Sequence, residues 1–139
     1  MVDALREARR VLSRRGVLID LRPLVAPLVV EVIDGAETAW SREVATYSAP
    51  EDVASADAAV QTAVSSGWFV FEKSVAFDFE IVCDTVAELR DYANGRKLCG
   101  EEIPYGELEQ RQAELGAPGP APRLRCRRRW MLSTYRRKP

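Results

Sequence analysis

Asp20 and Arg22 stand two residues apart at the end of an apolar run, Val17-Leu18-Ile19-Asp20-Leu21, which Arg22-Pro23 closes. Ligands of open α/β sheets bind at the carboxyl ends of strands, so this pair is a candidate binding site. The plainer reading is that acid and base satisfy each other or a nearby helix end. Trp40 and Tyr47 form a second candidate; aromatic rings in a half-buried hairpin either line a pocket or pack. Glu72, Asp78 and Glu80 share one face of an alternating run. Paired carboxylates can do acid–base work, but such alternation also describes a plain wet face. The chain has no histidine, which removes the Ser-His-Asp and Cys-His nucleophiles and the commonest general base. Its three cysteines, Cys83, Cys99 and Cys126, are far apart and form no C-x-x-C pair. No metal site is expected from them, and they read as reduced thiols of a cytosolic protein.

The elements that must position these residues follow from periodicity. Ala4, Leu5, Ala8, Val11 and Leu12 fall on one face of a helix that Asp3 caps and Gly16 ends. Arg9, Arg10, Arg14 and Arg15 lie on its other face and in its last turn, where the helix dipole favours positive charge. Val17 to Leu21 is apolar on both faces except at Asp20, as a strand covered on both sides would be. Leu28 to Ile33, the turn signal Asp34-Gly35 and a return at Arg42 to Tyr47 suggest a hairpin inserted at about residues 28–47. Ser48-Ala49-Pro50-Glu51 has the form of a capping box, opening a helix from about Pro50 to Ser66 that Gly67 stops. Its buried stripe is expected at Val53, Ala56, Val60, Ala63 and Val64.

Phe69, Phe71, Val75, Phe77, Phe79 and Ile81 share one parity of a long strand, opposite Glu72, Ser74, Asp78 and Glu80. One buried face and one wet face are expected, with a bend at Lys73. Asp84 to Glu88 is a second capping signal for a short helix, whose buried side is Val86, Leu89, Tyr92 and Ala93. A more polar helix follows from Glu101 to Leu115, then a proline-rich loop and a last strand from Arg123 to Tyr135. In that strand Leu124, Cys126, Trp130 and Leu132 alternate with Arg125, Arg127, Arg129 and Met131.

The 139 residues fit one domain, 1–139, and can bury a sizeable core. Net charge is −1, so no global field draws the chain to nucleic acid or to an anionic membrane, and neither partner is expected. The arginine strand lacks the aromatic interleaving of an RNA-binding sheet and reads as a solvated or interface-forming face. The longest apolar stretch, Leu24 to Val30, is too short to span a bilayer. A cytoplasmic location is the expectation. Charge is unevenly placed: residues 1–22 hold six arginines against three acids, and residues 123–139 hold eight bases and no acid. The stretch between holds eighteen acids against six bases, so ends and middle can attract each other within or between chains.

The segment Ala4-Leu5-Arg6-Glu7-Ala8-Arg9-Arg10-Val11-Leu12-Ser13-Arg14-Arg15-Gly16-Val17-Leu18-Ile19-Asp20 resembles a stretch of class I S-adenosylmethionine-dependent methyltransferases. There an "EARRVL"-type helix leads through a "PGG" turn into the fifth strand; here the turn reads Arg14-Arg15-Gly16. The runs SSGWFVFEK, DTVAELRDYA and RLRCRRRWMLSTYRRK are similar to the sixth strand, the helix after it and the antiparallel seventh strand. The resemblance covers the C-terminal half of that fold. It implies an α/β domain with a small mixed sheet and flanking helices, like the C-terminal portion of a Rossmann-like methyltransferase. It also implies an acceptor substrate near Asp20, Arg22, Trp40 and Tyr47. The cofactor of the family sits on the other half, behind a glycine-rich turn, and no G-x-G-x-x-G or D/E-x-G-x-G occurs here. The chain alone is therefore expected to hold no cofactor; S-adenosylmethionine enters only if an N-terminal half completes the fold.

In the full fold the fifth strand lies between the fourth and the seventh. Without a fourth strand, one edge of Val17 to Leu21 carries unpaired backbone groups, each costing about 1–3 kcal/mol if buried without a partner. Three coverings would serve: the hairpin of residues 28–47, a second copy around a two-fold axis, or a separate chain; the homodimer is the expectation, because the basic ends and acidic middle offer complementary surfaces. The functional expectation is a methyltransferase-like fragment, inactive alone. Its alternatives are a subunit completed by a partner or by residues upstream of Met1, and a non-enzymatic dimeric interaction module.

Overall fold

The computed structural model describes residues 1–45, 50–95, 102–116 and 121–139. In chain order the elements are α1 (Val2–Val11), β1 (Val17–Pro23), β2 (Leu28–Asp34), β3 (Glu37–Val44), α2 (Pro50–Ser65), β4 (Phe69–Cys83), α3 (Val86–Gly95), α4 (Tyr105–Glu114) and β5 (Arg123–Arg137). The protein is thus an α/β chain of four helices and five strands among the described residues. The strand order is β1-β5-β2-β3, with β4 also pairing β5. The sheet is antiparallel, where a mixed one is expected. A parallel pair needs a crossover to a neighbour running the same way, and among the described residues β1 has none. The residues divide into two compact units. Both long strands, β4 and β5, run from one unit into the other.

The first unit holds residues 1–25, 48–77 and 130–139. Here β1 pairs antiparallel with β5, from Val17 opposite Arg136 to Pro23 opposite Trp130. The core gathers Ala63, Phe69 and Tyr135, with Leu5, Leu12, Leu18 and Val60 packed against it. Helix α1 stops at Val11, because Leu12 turns to extended backbone and Gly16 N–H bonds the Ser13 carbonyl. Its end therefore precedes the expected stop at Gly16, and Arg14 and Arg15 lie in the following turn. A Cβ at Gly16 would sit 2.9 Å from the Leu12 side chain and 3.0 Å from the Ser13 carbonyl, so a larger residue there must shift its neighbours. Asp3 lies in the first turn instead of capping it.

Helix α2 buries Ala56, Ala59 and Ala63, while Val53, Val60 and Val64 are half-buried. It closes at Gly67, whose positive φ lets Gly67 N–H reach Val64 O and Trp68 N–H reach Ala63 O, the paired bonds of a Schellman ending. Ser48 and Ala49 of the expected capping box lie outside the described residues.

The second unit holds residues 26–47 and 78–129. The hairpin is tight: Asp34 faces Glu37 across Gly35-Ala36, and a bulge follows at Ala39. Its returning strand starts at Glu37, earlier than the spacing suggests, because the two-residue turn closes on Gly35 at positive φ. On its other edge β2 pairs with β5, from Val29 opposite Arg127 to Ile33 opposite Arg123. The core is made of Val30, Val32, Leu124 and Cys126 from the sheet and Val86, Leu89 and Leu108 from the helices. Helix α3 opens as expected. Thr85 Oγ1 accepts the Glu88 N–H, and the Glu88 carboxylate reaches back to the Asp84 N–H.

Two burial expectations fail. Val17, Ile19 and Leu21 are 39%, 61% and 50% exposed, so β1 is not covered on both faces. On β4 only Phe69 of the odd-numbered apolar series is fully buried, and Phe71, Val75 and Phe79 are exposed. Phe69 serves the first core and Ile81 with Cys83 the second, so the middle of this long strand belongs to neither.

Candidate functional site

In the first unit the candidate pair at the end of β1 forms an ion triad. Residues two apart on a strand share a face, and Arg22 Nη2 lies 2.6 Å from Asp20 Oδ2. The other guanidinium nitrogen, Nη1, lies 2.8 Å from Asp57 Oδ1 on α2. Burial works against the Arg22 charge, but Asp20 and then Asp57 outweigh it and hold its pKa above the ordinary value. Each charge here has an opposite partner, so the triad ties β1 to α2 and leaves no acid or base free for proton transfer. A nearby hollow of about 320 Å³, lined by Val60, Gln61, Val64, Ser65, Phe71 and Tyr135, is mainly apolar and has no carboxylate.

The other face of β1 differs. Leu18 points into the core, so alternation turns Val17, Ile19 and Leu21 the other way. Their register partners on β5 are Arg136, Thr134 and Leu132. No strand among the described residues pairs with the second edge of β1. The hairpin, one of the three expected coverings, adds to β5 through β2 and leaves that edge alone. An edge strand with exposed apolar side chains is a template for another strand.

In the second unit Trp40 sits on β3 opposite Val32 and packs, half-buried, against the hydrophobic core. Tyr47 lies outside the described residues. Asp20 and Arg22 are thus brought together, while Trp40 belongs to the other unit's core.

The sequence reading missed Glu31. It is 2% exposed at the centre of the second unit's ladder, although an acid within Val29-Val30-Glu31-Val32-Ile33 was a visible signal. Arg127 grips it through Nε and Nη2 at 2.9 and 2.8 Å, and Arg125 Nε adds a bond of 2.5 Å. Arg125 also donates to Thr38 Oγ1, and Arg129 to Asp78. Burial alone would push the Glu31 carboxyl up, but Arg127 and Arg125 reverse this and hold it below its ordinary range. The arginine alternation of β5 is therefore mostly internal to this unit. Glu31, Asp78 and Thr38 occupy the guanidinium groups of Arg125, Arg127 and Arg129, three of the bases expected on a solvated or interface-forming face.

Cys83 and Cys126 are both buried, Cys83 as a free thiol, and Cys99 lies outside the described residues. Burial first, then Glu88 and Asp84, raise the Cys83 pKa, so this thiol stays protonated and is no nucleophile. Among the described residues no three potential ligands converge to hold a metal ion, and no helix is long and apolar enough to cross a membrane. No protein-family model matches the chain, and no curated protein or solved structure matches it either.

Proposed function

We propose that this chain is a methyltransferase-like interaction module, inactive by itself, that pairs with a second copy of itself along β1. The observation that carries the reading is the edge of β1, unpaired among the described residues, together with the exposure of Val17, Ile19 and Leu21. The antiparallel pairing of β1 with β5 agrees with the fifth and seventh strands of the C-terminal methyltransferase half that the sequence resembles. A two-fold axis beside β1 would place two identical edges together and extend the sheet through both copies. The mutual neutralisation of Asp20, Arg22 and Asp57 supports the inactive reading, since none is left to act on a substrate. The buried free thiol of Cys83 fits a reducing compartment such as the cytoplasm.

The second reading is an enzyme subunit, whose cofactor-binding half comes from a partner chain or from residues upstream of Met1 and docks on the same edge. Sedimentation equilibrium combined with calorimetry separates the two. A concentration-dependent dimer that takes up no S-adenosylmethionine is the expected result. A monomer at high concentration overturns the self-pairing, and tight binding of S-adenosylmethionine by the chain alone overturns the inactive reading.

A further inference from the structure

A cavity of about 380 Å³ in the first unit is lined by Arg6, Glu7, Arg9, Arg10 and Arg137. The single acid is already engaged: Glu7 accepts from Arg10 Nη2 at 2.6 Å and from Arg10 Nε at 2.9 Å. Arg6 is held by Asp3 at 3.1 Å and lies over the Trp68 ring. Arg137 is oriented by donating through Nη1 to the Leu12 carbonyl. Two further donors, Arg9 Nε and Arg137 Nε, are buried without a hydrogen-bond acceptor among the described residues. Leaving a buried donor unpaired is unfavourable, more so when it carries charge. Arg9 of α1 and Arg137 of β5 thus stand with Arg6 and Arg10 around one positively charged hollow.

We propose that this hollow is a binding site for the phosphate group of a small molecule. Guanidinium groups recognise oxyanions through paired N–H donors. A carboxylate offers two oxygens and is matched by one guanidinium fork. A phosphate group offers a tetrahedral set and more charge, which suits two forks arriving from different elements. The volume falls within the range of small-ligand pockets. The site depends on α1 and the end of β5 and not on the methyltransferase reading.

The test is calorimetric titration of the full chain with inorganic phosphate and with pyrophosphate at low ionic strength. Both are expected to bind, and Arg9→Gln is expected to weaken both by about tenfold, the loss of one charged hydrogen bond. Arg9 lies on a surface helix, so folding should survive. If Arg9→Gln does not fold, Arg137→Lys, which keeps the charge and removes the fork, must show the same loss. Absence of binding by either anion, or equal affinity in the folded variant, overturns the proposal. It is also overturned if a single-stranded oligonucleotide binds more tightly than pyrophosphate and is unaffected by Arg9→Gln.

Discussion

Replacing Glu31 by glutamine should be among the most damaging conservative changes to this protein. The Glu31 side chain is 2% exposed, and its two arginine partners, Arg125 and Arg127, are 21% and 31% exposed. Removing one member of a buried ion pair costs about 3–5 kcal/mol, because the remaining charge is stranded. Here both arginines retain some water, and Asp78 lies 3.6 Å from Arg127, so part of the loss is recovered. We expect a loss of about 2–3 kcal/mol at neutral pH, read from urea unfolding, and a fall in thermal midpoint of roughly 8 °C. The wild type should show a matching pH dependence. The Glu31 pKa is lowered in the folded state, so its stabilisation is present above the ordinary value of 4.5 and fades as pH falls through the lower folded value. Glu31→Gln should flatten that acid limb. A variant within about 0.5 kcal/mol of wild type, the range of ordinary surface changes, would refute the reasoning. So would an acid limb as steep as that of the parent.

Ile19→Lys should abolish self-association in sedimentation equilibrium while shifting monomer stability by less than about 0.5 kcal/mol, because the side chain is exposed. Leu108→Ala empties a fully buried position between α4 and the second core, and should cost about 3 kcal/mol in urea unfolding. Gly67→Ala forces an L-residue into the left-handed region at φ 73° and should cost about 1 kcal/mol by the same measurement.

The parts legible in the sequence were those governed by neighbours along the chain. Thr85 and Glu88 form their cap, Gly67 ends α2, and Asp34-Gly35 turns the hairpin, each through contacts a few residues apart. What misled was burial, since alternation tells which side chains share a face but not whether anything covers it. Ile19 and Phe71 read as core and are exposed, while Glu31, an acid within an apolar run, is buried. The Glu31 network joins residues more than ninety positions apart, and no local pattern encodes it. The Asp20–Arg22 pair was legible from its two-residue spacing, but its third member, Asp57, comes from a helix that lies distant in sequence.

Strand β5 has a consequence for how the chain reaches its native state. It completes the ladder of β1, more than a hundred residues away, and that of β2, and it pairs with β4 as well. Among the described residues, every ladder except the local hairpin therefore waits for one segment, and loops of this length close slowly. Until β5 docks, the apolar side chains of β1 and β4 have no sheet to join. Folding should thus be late and cooperative, with a transient species rich in helix and hairpin but open along both long strands. Such a species is the one most prone to aggregate, so the yield of refolding should fall steeply as protein concentration rises.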